Sequence, residues 1–119
     1  MTTAQPTEDT AKIGQNKGES SGTRILAIDI GGTGLKAAIL NDNGDMLTDR
    51  QRVETPHPCK PDDLVEALIK LVEPLSGFDC VSVGFPGVVR NGKIITAPNL
   101  GTKELEGFDL AAALRDRLN

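Results

Sequence analysis

At 119 residues, with 38% hydrophobic and 25% charged residues, the chain has the size of one domain at most and buries roughly two-thirds of its unfolded surface, enough for a core. It contains no run of 18 apolar residues, which excludes a membrane-spanning helix. A formal net charge of -4 argues against a sequence-independent grip on nucleic acid, which needs a basic face to release counterions, so any anionic partner must be held locally.

The opening stretch MTTAQPTEDTAKIGQNKGESSG lacks the apolar segment of a secretory signal. Its polar, Gly/Ser/Thr-rich composition cannot bury enough surface to repay ordering, so residues 1 to about 22 are expected to form a disordered tail ahead of one domain, residues 23–119. Arg24 to Ile30 reads as a first strand and Leu35 to Leu40 as a second, joined by Gly-Gly-Thr-Gly. Asn41 to Gly44 is a polar turn whose Asn-Gly ending favours a tight hairpin, which leads into an edge strand, partly wet, over Asp45 to Glu54. The break PHPCKPDD follows, and then Leu64, Val65, Leu68, Leu71 and Val72 recur at helical spacing, predicting an amphipathic helix from Asp62 to Leu71. Cys80 to Phe85 is a short apolar strand ending at Pro86-Gly87, VVRNGKII carries a second Asn-Gly hairpin signal, and Asp109 caps a last helical stripe through Leu110, Ala113, Leu114 and Leu118.

Three consecutive strands, a helix and a further strand make the opening of a ribonuclease-H-like α/β unit, with a mixed sheet and the added strand parallel to the first. One strand and one helix of such a unit are missing at the C-terminal end, so the topology is expected to be cut short. Neither Cys59 nor Cys80 has metal-ligand or CxxC spacing, which predicts two reduced thiols in a cytoplasmic protein. His57, the only histidine, sits between two prolines with no triad pattern around it and is expected to be a surface loop residue.

The chemistry lies in RILAIDIGGTGLKAAILNDNG. Gly31, Gly32 and Gly34 are expected to allow a tight turn with positive φ and to let backbone N-H groups approach an anion with no Cβ in the way. Thr33 can add a hydroxyl, Lys36 a point charge, and Asp29 a hard oxygen for a hydrated Mg²⁺, which takes one or two carboxylates and keeps several waters. GGTGLK lacks the GxxxxGK[ST] spacing of the P-loop, and the strand that follows it differs from the helix of GxGxxG dinucleotide sites. A plain hairpin with Asp29 as a cap and Lys36 solvated also fits the four residues. Against it, Asp29 ends an otherwise apolar strand, where a charge is costly unless it is paired or coordinates something.

AIDIGGTGLKAAIL resembles the first phosphate loop of the sugar-kinase/actin/heat-shock ATPase superfamily. Together with GFPGVVRNGKIITAPNL it resembles the ROK family of sugar kinases and repressors over residues 24 to 119, and DRQRVETPHPCKP with VSVGFPGVV is similar to polyphosphate glucokinases. The resemblance implies the N-terminal domain of a ribonuclease-H-like, actin-like ATPase fold. It implies that Gly31, Gly32, Thr33, Gly34 and Lys36 hold the phosphates of ATP or polyphosphate, with Asp29 near Mg²⁺. Gly87 and Val88 then line the pocket for glucose or a related hexose, Asn99 lies near the sugar, and the full-length form is a homodimer. The family's catalytic aspartate falls beyond Asn119, so no catalytic residue is assigned and the isolated chain is expected to be inactive. The segment NLGTKELEGFDL lacks the Trp that polyphosphate glucokinases tend to carry, which leaves ATP open as donor. A ROK-type sugar-responsive regulator or a non-catalytic sugar- or phosphate-binding fragment is the alternative, although the short polar N-terminus offers no helix-turn-helix.

Overall fold

A computed structural model describes the backbone of residues 11–13 and the whole of residues 22–118. Its elements in chain order are β1 (Ala11–Ile13), β2 (Ile25–Ile30), β3 (Gly34–Leu40), β4 (Gln51–Glu54), α1 (Pro61–Val72), β5 (Cys80–Gly84), β6 (Val88–Arg90), β7 (Lys93–Thr96), α2 (Thr102–Leu105) and α3 (Leu110–Leu118). Five strands form one sheet in the order β1-β5-β2-β3-β4, and β6 and β7 form a second, two-stranded sheet. β2, β3 and β4 pair antiparallel and β5 adds to β2 in parallel, which is the expected mixed sheet.

Alternation along β2 divides the large sheet. Leu26, Ile28 and Ile30 turn to one face, opposite Ile39, Ala37 and Leu35 of β3, and all six are buried. α1 covers that face with Leu64, Leu68 and Leu71, each at most 1% exposed. Pro61 at the first helical turn, with Asp62 and Asp63 beside it, starts the helix where a missing N-H costs nothing and negative charge meets the dipole. Ala27 and Asp29 turn to the opposite face, which carries an open groove of about 370 Å³.

Two expectations are corrected. The edge strand predicted from Asp45 is confined to Gln51–Glu54, because the Thr48 hydroxyl oxygen accepts the Ile39 N-H at 3.1 Å, where a strand carbonyl would have stood. Within the stretch expected to be a disordered tail, residues 11–13 pair antiparallel with β5, Ala11 opposite Val83 and Ile13 opposite Val81. They cover polar backbone that β5 would otherwise present as an open edge. Residues 1–10 and 14–21 of that stretch lie outside the described residues.

The second sheet turns on Asn91 and Gly92, with φ of 54° and 84°, as the Asn-Gly signal predicts. The short helix α2 was not legible in the sequence. Asp109 caps α3 as expected, its Oδ1 accepting the Ala112 N-H at 3.0 Å. Both cysteines are buried, with no disulfide among the described residues, and burial, with Asp63 and Glu104 nearby, pushes the Cys59 thiol above its ordinary range. No helix among the described residues is long and apolar enough to cross a membrane.

Candidate phosphate-binding hairpin

The parallel pair β2 and β5 ends at a common edge, where the register sets Asp29 beside Gly84 and, across the antiparallel side, opposite Lys36. Carboxyl ends of neighbouring parallel strands are where open α/β sheets receive ligands, because the chain leaves the sheet there in loops. Among the described residues the Asp29 carboxylate has no hydrogen-bond or ion-pair partner; the one ion pair is Glu66 with Arg117. No group of three His, Cys, Asp or Glu side chains that could hold a metal occurs among the described residues. A lone half-exposed carboxylate does not make a protein cage for a cation, but it fits a Mg²⁺ that keeps most of its waters.

Between β2 and β3 the Gly31 N-H donates to the Gly34 carbonyl at 2.9 Å, closing a turn around Gly32 and Thr33. The N-H groups of Gly32 and Thr33 donate to no acceptor among the described residues. Every carbonyl from Gly31 to Thr33 is taken by one segment after β4. The Thr55 hydroxyl donates to Gly31 O at 2.7 Å, the Thr55 N-H to Thr33 O at 3.2 Å, and His57 Nε2 lies 3.0 Å from Gly32 O.

The glycines serve a purpose other than the expected one. None of Gly31, Gly32 and Gly34 has a positive φ. They are small because neighbours crowd them. A Cβ on Gly31 would lie 2.9 Å from Gly34 O, one on Gly32 3.1 Å from Asn99 Cβ, and one on Gly34 2.6 Å from Arg52 Nη2.

Asn99 is therefore brought against the turn that holds Gly32, while its exposed side chain stands in a loop anchored by Ala97, whose carbonyl accepts from Leu100 at 3.0 Å and Gly101 at 2.8 Å. Gly87 and Val88 have their contacts in the small sheet. A Cβ on Gly87 would collide with Thr96 O, and the Val88 N-H donates to Thr96 Oγ1 at 3.2 Å, with Val88 43% exposed. Three residues escaped the sequence reading. His57 is indeed exposed in a loop, but it reaches the turn. Arg52 lays its guanidinium on Gly34 and stands opposite Lys36 in register, and Arg50 lines the same groove as Asp29 and Lys36. The alternation Arg50-Gln51-Arg52 put both arginines on one side, but no local signal said that this side meets the glycine turn.

A mixed sheet with a helix crossover, a glycine hairpin at its carboxyl edge and a second hairpin beyond β5 define an α/β domain of the ribonuclease-H-like, actin-like ATPase class. The ROK family profile matches residues 25–119, and the chain belongs to the ROK family. It is 40% identical over 75 residues to the N-acetylmannosamine kinase of Escherichia coli O6:H1, covering 62% of this chain and 25% of that protein. It is 31% identical over 104 residues to the polyphosphate glucokinase of Mycobacterium leprae, covering 84% of this chain and 32% of that protein. Among solved structures, the inorganic polyphosphate/ATP-glucomannokinase of Arthrobacter sp. strain KM superposes with a TM-score of 0.73 at 36% identity, over 81% of this chain and 41% of that one. The chain thus spans a quarter to a third of the length of the curated relatives it matches.

Proposed function

We propose that this chain forms the donor-phosphate part of a sugar-kinase active site, in which a phosphoryl group passes from polyphosphate or ATP to the 6-hydroxyl of glucose or a related hexose. The observation that carries the reading is the pair of N-H groups at Gly32 and Thr33 that have no acceptor among the described residues, on a turn held from behind, with Asp29, likewise without a partner among them, beside it. Fixed donors of this kind stabilise phosphate oxygens without reorganising at the moment of transfer. Lys36 and Arg52 stand directly opposite each other and neither makes an ion pair among the described residues, although Asp29 faces Lys36 from the other side; this like-charge juxtaposition favours an anion lying across it. Thr33 adds a hydroxyl at the exposed tip of the turn.

Asp29 is the residue that would hold a hydrated Mg²⁺, which when bound neutralises charge on the transferring phosphates. Gly87, Val88 and Asn99 are assigned to the hexose, Asn99 from beside Gly32. Positioning the hydroxyl in line with the donor is their contribution. The proton acceptor for the hydroxyl is assigned to the part of the relatives' length that this chain does not cover, so the 119 residues alone should not turn over. The wider reading places the complete enzyme in the cytoplasm as a homodimer, with no nucleic-acid partner.

Isotope-labelled chain titrated with Mg²⁺ and either inorganic tripolyphosphate or ATP tests the reading. The amide resonances of Gly32 and Thr33 should move with at least one donor, and glucose should move those of Gly87, Val88 and Asn99. If neither donor moves the turn, the assignment of the hairpin to phosphate is wrong. A coupled assay should detect no glucose 6-phosphate above a mock purification, and turnover by the chain alone would show that its proton acceptor is already present.

A further inference from the structure

We propose that His57 is a positioning residue: with Thr55 it aims the N-H groups of the glycine turn at the donor phosphate. This rests on the phosphate reading above. The argument is geometric. In a trans, planar peptide the C=O of one residue and the N-H of the next point in opposite directions, so fixing an oxygen also fixes the following N-H. His57 Nε2, 3.0 Å from Gly32 O, therefore sets the direction of the Thr33 N-H. The Thr55 hydroxyl, 2.7 Å from Gly31 O, sets that of the Gly32 N-H in the same way. The Thr55 N-H on Thr33 O completes the row. Three successive carbonyls face the segment Thr55 to His57, and the two N-H groups without an acceptor among the described residues face away from it.

Three glycines in a four-residue turn would otherwise lose much backbone freedom when an anion is captured. A turn ordered beforehand does not bear that cost at binding, so the clamp should appear in donor affinity. Gly32 O can only accept, so Nε2 must carry a hydrogen, which both the neutral tautomer protonated there and the imidazolium supply. His57 is exposed, so its replacement need not disturb the core.

The test measures Kd for inorganic tripolyphosphate with Mg²⁺ on the 119-residue chain and on three variants, alongside melting temperatures. His57→Leu removes the donor and should weaken binding about fivefold, the effect of one ordinary hydrogen bond. His57→Gln carries an N-H₂ of similar reach and should bind within about twofold of wild type. Thr55→Val keeps the shape and the backbone N-H and should weaken binding about as much as His57→Leu, with the largest amide perturbation at Gly32 instead of Thr33. A structural role alone would lower the melting temperature and leave the affinity of the folded protein unchanged. Wild-type affinity in His57→Leu, or equal loss in His57→Gln, overturns the proposal while the phosphate reading stands. Absence of binding by wild type overturns that reading, and this proposal with it.

Discussion

The two hairpins assigned to the donor and the sugar are both glycine-rich, yet glycine solves a different problem in each. In the turn from Gly31 to Gly34 no residue takes a left-handed conformation; the glycines clear room for Gly34 O, Asn99 and Arg52. In the second hairpin Asn91 and Gly92 take positive φ to reverse the chain. Gly87, just before β6, is crowded as Gly31 is, by backbone, here that of Thr96. The first hairpin belongs to a five-stranded sheet and is held from behind by Thr55 and His57. The second is a two-stranded sheet tied to the segment between α2 and α3, where the Ile94 N-H donates to Phe108 O at 2.9 Å and the Gly107 N-H to Ile94 O at 2.7 Å. A glycine-rich run thus identifies a turn, while the reason for each glycine depends on what packs against it.

Substitution should separate these reasons, and the largest effect is expected at Gly87. The methyl group of Gly87→Ala would meet backbone, which cannot swing aside, so urea denaturation should show a loss of about 3 kcal/mol, the upper end for overpacking. Asp29→Asn should act on binding instead. Calorimetric titration should find the affinity for tripolyphosphate in Mg²⁺ reduced about tenfold, or about 1.4 kcal/mol, with affinity in chelator no lower than wild type and the melting temperature little changed. A loss of stability with unchanged binding would return Asp29 to the role of a turn cap.

Gly34→Ala is the informative contrast with Gly87→Ala. Its Cβ meets the far end of a flexible arginine, so Arg52 should swing away at a stability cost below about 1 kcal/mol, while polyanion affinity falls about threefold. Equal destabilisation by the two alanines would erase the distinction between the hairpins. The smallest effect concerns the exposed Glu66–Arg117 pair, 2.8 Å apart, which joins α1 on the large sheet to α3 beside the small one. The Arg117 guanidinium, through its hydrogen bond and its charge, holds the Glu66 carboxyl below its ordinary value of 4.5. A lowered folded-state value contributes stability that is present above the ordinary value and is lost as pH falls through the lowered one. Glu66→Gln should therefore lower the melting temperature slightly at neutral pH and low salt, with the difference vanishing in strong acid or in high salt.

Much of the frame was legible because it repeats locally. The period of two in ILAIDI places Leu26, Ile28 and Ile30 on one face, and the 3.6-residue stripe from Leu64 to Val72 needs no knowledge of its partner to be read. Asn91-Gly92 and the Asp109 cap are equally local, since each acts within a few bonds of itself. The residues proposed to meet the donor, Asp29 to Lys36, could also be read as a group, because they are contiguous. What escaped was set by distant packing. β1 carries too few residues to announce a strand and pairs because β5 offers an edge. β4 starts late because one threonine hydroxyl occupies the ladder.

From its order of residues alone the chain determined most of its strands and its two longer helices, its Asn-Gly turns, and which contiguous residues form a glycine hairpin beside a carboxylate. Only the tertiary structure decided that Asn99 lies on Gly32, that Arg52 covers Gly34, and that a histidine 25 residues away in sequence holds the turn's central carbonyl. Backbone periodicity and turn chemistry act over a few bonds and leave a local trace. The direction of a peptide group in a loop is set by whichever donor the fold brings within about 3 Å of its oxygen, and that donor need not be a neighbour in sequence.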